Sequence, residues 1–75
     1  MRFIEITGKT LGRIVDSGEL HMRDLQSAGV YDDTIVRINE QGDIEVRRPH
    51  KWDVIGGLLG GFEERIKTET GMDWV

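Results

Sequence analysis

The sequence predicts a small α+β domain in which an antiparallel three-stranded sheet is packed by one long C-terminal helix. Three observations predict it. Apolar residues alternate with polar ones over 2–7 and again over 34–38 and 44–48, the period of a half-buried strand. A five-residue connection, Asn39-Glu-Gln-Gly-Asp43, separates the last two runs and holds Gly42 where a hairpin needs a positive φ. From Trp52 onward the spacing turns helical, with Ile55, Leu58, Leu59, Phe62 and Ile66 on one face, and a helix over about 53–70 is expected. The expected order is β-α-α-β-β-α within a single domain, 1–75.

The elements follow in turn. The first strand carries Ile4 and Ile6 inward and ends at Gly8. Residues 10–17 read as a short helix capped by Thr10, with Leu11, Ile14 and Val15 at i, i+3 and i+4 and Gly18 as its stop. The competing reading makes them a strand, for an order β-β-α-β-β-α with four strands. A second short helix covers 22–28, with Leu25 and Ala28 inward, Asp24 in its first turn and Gly29 at its end. In the hairpin Ile44 and Val46 face the core while Glu45 and Arg47 face water. Pro49 stops the strand, Asp53 is placed to cap the long helix, and Gly71 is a natural residue for its left-handed end, folding Met72 back against Ile66 and Lys67.

The long helix contains two glycine pairs, Gly56-Gly57 and Gly60-Gly61, on the side away from its apolar face. At about 0.8–1 kcal/mol each relative to alanine, four interior glycines cost a helix about 3–4 kcal/mol. Close approach of another backbone to a side-chain-free stripe is the expected compensation. The alternative is a helix broken at the glycines and starting afresh at Gly61-Phe62.

Composition narrows the function classes. A chain of 75 residues without cysteine has a small core and no disulfide to brace it, which fits a reducing compartment and an oligomer or partner that supplies further burial. The first residues lack the apolar run of a signal peptide, and no stretch approaches the roughly eighteen apolar residues of a membrane span, so a soluble, cytoplasmic protein is expected. Net charge is -4, a poor footprint for nucleic acid. The one basic cluster is Arg47, Arg48, His50 and Lys51.

Catalysis finds little support. His21 and His50 are the two histidines, and neither has the neighbours of a zinc set or an activated nucleophile. The acid pairs Asp32-Asp33 and Glu63-Glu64 read as solvated charge. Gly-Gly-Leu-Leu-Gly-Gly lacks the lysine and hydroxyl residue of a phosphate loop. No enzyme, cofactor or metal is expected.

The reading that remains is a small adaptor or regulatory module that binds a protein partner, or itself as a dimer, through the glycine-striped helix. Its expected contact residues are Gly56, Gly57, Gly60, Gly61, Asp53 and Glu64, with Trp52 and Trp74 as anchors. The alternative rests on element order, which resembles that of a winged helix-turn-helix. It implies a DNA-binding regulator in which 22–28 presents Arg23 and Gln26 to bases, while Arg37, Arg47, Arg48 and Lys51 of the hairpin region meet phosphates.

Overall fold

The computed structural model describes residues 2–15, 22–72 and 74, with backbone only for Met22 and Arg23. The expected Gly18 stop and His21 lie outside the described residues. The fold is α+β, with seven elements among the described residues: β1 (Phe3–Thr7), α1 (Gly8–Ile14), α2 (Met22–Ser27), β2 (Ile35–Asn39), β3 (Asp43–Arg47), β4 (Trp52–Gly57) and α3 (Phe62–Thr70). The sheet has four strands in the order β1-β2-β3-β4, each antiparallel to its neighbour.

Two expectations are corrected here. The sheet has four strands rather than three, and the extra strand is 52–57, not 10–17. The helix of about 53–70 is a strand followed by a nine-residue helix, so Gly56 and Gly57 lie in β4 and Asp53 caps no helix. The physical reason is twofold. The outer edge of β3 has backbone groups to satisfy, and a helix through four glycines is too costly to compete for the same residues. The hairpin that delivers β4 is tight: Arg48 N donates to Lys51 O at 2.8 Å across Pro49-His50. Proline does not end the sheet there; it turns it, its fixed φ suiting the first turn position.

Register decides which face is core. Ile4 and Ile6 stand opposite Ile38 and Val36, which in turn oppose Ile44 and Val46. All six are buried with Leu11 and Ile14 of α1, Leu25 of α2, and Leu58, Phe62 and Ile66 around α3. Each such aliphatic side chain contributes about 1.5–3 kcal/mol of burial. The three helices thus cover one face of the sheet, and the domain has two layers.

Residues 10–14 are helical, as expected, with Leu11 and Ile14 buried. The cap is Thr7 rather than Thr10, because β1 runs into α1 without a loop and Thr7 Oγ1 accepts from Thr10 N at 3.3 Å. The remaining first-turn amides find carbonyls in the loop before β2: Gly8 N donates to Thr34 O at 2.8 Å and Lys9 N to Asp32 O at 3.1 Å. Only glycine permits this approach. A Cβ on residue 8 would stand 2.0 Å from Tyr31 O and 2.8 Å from Val30 Cγ1.

The hairpin connection is three residues, shorter than expected. Asn39 Oδ1 accepts from Gln41 N and Asp43 N, its Nδ2 donates to Asp43 Oδ2, and Gly42 takes φ 90° as expected. Gly71 ends α3 at φ 72°, donating to Lys67 O at 2.8 Å. This is the single-bond left-handed ending. Met72 does not fold back on Ile66: its N–H turns to Thr70 Oγ1 and the residue is exposed.

Candidate interaction surface

The second face of the sheet receives no apolar residue of α1, α2 or α3. Its residues are the odd-numbered ones of β1 to β3, followed by Trp52, Val54 and Gly57 of β4. A strand face left to water is expected to be polar, and this one is mixed. At its centre the Arg37 guanidinium carbon lies 3.7 Å from the Phe3 ring centroid and 4.2 Å from that of Trp52. Arg37 Nη2 also donates to Glu45 Oε1 at 3.0 Å, and the two side chains are only 21% and 11% exposed. Glu45 was expected to face water. It points to the outer face, but the arginine and its aromatic neighbours cover it.

The layer does for this face what a helix does for the other. The flat guanidinium lies between two π-systems, an attraction of about 0.5–2 kcal/mol depending on desolvation. One polar atom, Arg37 Nε, is buried in it without a hydrogen-bond partner. The result is a plate of two aromatic rings around an ion-paired arginine, rimmed by exposed groups.

On that rim β4 carries Val54, 61% exposed, and the loop beyond it carries Leu59, 64% exposed. β4 is also irregular. Its register shifts between Ile44 and Glu45, so that Ile55 has no partner in β3 and packs against the core while Val54 faces out. That is a bulge, a feature common at sheet edges.

The expected contact residues are therefore dispersed. Trp52 lies in the plate. Trp74 lies on the helical side, its ring edge-on to Phe62 at 6.0 Å and its Nε1 donating to Ile38 O at 3.2 Å. Asp53 receives Arg48 Nη2 at 3.4 Å. Gly60 is exposed in the loop before α3, Gly61 is the N-cap of α3 at φ 82°, and Glu64 lies exposed in that helix's first turn. No single helical stripe holds the four glycines: two belong to the strand and two to the turn after it. Phe3, Glu45 and Val54 were missing from the expected set. The signal for Phe3 was available, since a strand that buries Ile4 and Ile6 turns Phe3 to the other face.

The basic residues named for nucleic acid are also spread out. Arg37 is held in the plate. Arg48 ties α2 to the sheet through Ala28 O at 2.8 Å as well as Asp53. Arg47 and Lys51 are exposed, and the Arg23 side chain lies outside the described residues. Among the described residues no group of three or more His, Asp or Glu is placed to hold a metal ion, and no helix is long and apolar enough to cross a membrane. Comparison with models of known protein families, with curated proteins and with solved structures finds no match.

Proposed function

We propose that this chain is a non-enzymatic interaction module that binds a protein through the outer face of its sheet and the adjoining β4 edge. The observation that carries the reading is the Phe3–Arg37–Trp52 plate beside the exposed Val54: large side chains pack on one another on a face that α1, α2 and α3 leave uncovered. Tryptophan and arginine are the residue types most enriched where binding energy concentrates. A surface already ordered loses little side-chain entropy on contact. A reducing compartment such as the cytoplasm suits a chain without cysteine.

The reading moves the contact from a helix stripe to a sheet face, and it retains Trp52 and Gly57 from the expected set. The test is affinity capture from host extract with the wild-type chain and with Trp52→Ala. The expected result is a specific protein retained by the first and lost by the second, with unchanged circular dichroism. Equal capture by both removes the sheet face from the function.

A further inference from the structure

The outer edge of β4 has a pattern that fits one particular partner. Arg48 and Lys51 form a hydrogen-bonded pair, so strand alternation makes Arg47 with Trp52, and Glu45 with Val54, non-hydrogen-bonded pairs. The N–H and C=O of Trp52 and Val54 then point away from β3. Beyond the bulge Leu58 N donates to Gly42 O at 2.8 Å, which resets the alternation and turns the backbone of Gly57, opposite Asp43, outward as well. Trp52, Val54 and Gly57 therefore offer both their backbone groups to the edge and their positions to the outer face, while Asp53 and Gly56 face the other way.

With the bulged Ile55 set aside, that order is self-complementary. We infer that β4 pairs antiparallel with β4 of a second copy about a two-fold axis at Val54. Val54 meets its own counterpart, Asp53 meets Gly56 of the second copy, and Trp52 meets Gly57 of the second copy. Every pair agrees in side-chain direction, as an isologous contact requires. The pairing joins two sheets into one of eight strands and places Trp52 and the side-chain-free Gly57 of the second copy opposite each other in register.

An independent observation agrees. Nothing among the described residues requires glycine at 57: it is exposed, has no positive φ, and an added Cβ would come no nearer than 3.8 Å to Asp43 Oδ1 and Gly42 O. Gly42 and Gly8, by contrast, are fixed by the fold itself.

The inference rests on the proposed interaction role and names its occupant. The test is sedimentation of the full chain over a micromolar to millimolar series, with Val54→Pro and Val54→Lys alongside. Proline at 54 removes only an outward N–H, and lysine sets two like charges on the axis. Wild type is expected to move toward twice the monomer mass, with self-association weakened roughly tenfold or more in both variants while circular dichroism is unchanged. Should Val54→Pro perturb the strand, Val54→Lys decides. A wild-type chain that stays monomeric, or a Val54→Lys chain that dimerises like wild type, overturns the pairing. Neither result touches the capture experiment with Trp52→Ala, so the loss of this inference is distinguishable from the loss of the broader role.

Discussion

Arg37 and Glu45 stand directly opposite each other on the two central strands and join through a 3.0 Å bond between Nη2 and Oε1 on the face that α1, α2 and α3 leave uncovered. Both are mostly buried, so each depends on the other. Removing Glu45 leaves a guanidinium between two rings without its counter-charge. Glu45→Ala is expected to destabilise the domain by about 1–3 kcal/mol, and Arg37→Met, which keeps an unbranched apolar filler but leaves the more deeply buried Glu45 carboxylate unpaired, by a similar amount. Urea denaturation of the two single variants and the double variant checks this. A double variant no better than the sum of the singles means that the pair is not coupled.

The glycines separate by what surrounds them. Gly8→Ala forces a Cβ into Tyr31 O and breaks the seating of α1, with an expected loss of about 1–3 kcal/mol or more. A Cβ added at Gly60 would meet nothing within 4 Å among the described residues beyond its chain neighbours, and φ is not positive, so Gly60→Ala is expected to stabilise by about 0.4–1 kcal/mol. Its neighbour Gly61, at φ 82°, is expected to lose about 1–2 kcal/mol as alanine. Opposite signs at adjacent residues make thermal melts a clean measurement. A stabilised Gly61→Ala would contradict the left-handed cap.

Glu40 predicts a pH effect. The backbone N–H of Arg2 at 3.2 Å, and then its guanidinium at 3.3 Å, hold the Glu40 carboxyl below the usual carboxylate range. A depressed folded-state pKa stabilises the fold above the ordinary glutamate value of about 4.3 and loses that contribution as pH falls through the folded value. The site is fully exposed and the effect is small. Glu40→Gln is expected to flatten the stability profile below about pH 4.3, measured by denaturation at several acid pH values, and an unchanged slope would sink it.

Trp74 packs on the domain rather than outward. Trp74→Phe keeps an aromatic ring near Phe62 but loses the bond to Ile38 O, for an expected cost of about 0.5–1.5 kcal/mol. Trp52→Phe, on the other face, loses no such bond. A Trp74→Phe chain as stable as wild type would mean that the indole N–H of Trp74 contributes nothing.

Much of this molecule was legible before its fold was known, where the signal was local. Alternation placed β1, β2 and β3 to within a residue or so, helical spacing placed α1 with Leu11 and Ile14 inward, and turn chemistry placed Gly42 and Gly71 in their left-handed conformations. Such features depend on contacts a few residues apart, and the sequence by itself determines them.

Tertiary structure decided β4. Residues 52–57 read as helix because Ile55 stands three and four residues before Leu58 and Leu59, a helical interval, while the bulge at Ile55 breaks the period of two. What makes them a strand is the open edge of β3 next to them, a demand for backbone partners that no window of sequence displays. The same holds for the plate: Phe3, Arg37, Glu45 and Trp52 come from four strands, and only the register of those strands sets a guanidinium between two rings. Periodicity and turn residues act along the chain, whereas edge satisfaction and cross-strand packing act between segments, and it is the latter that made the surface.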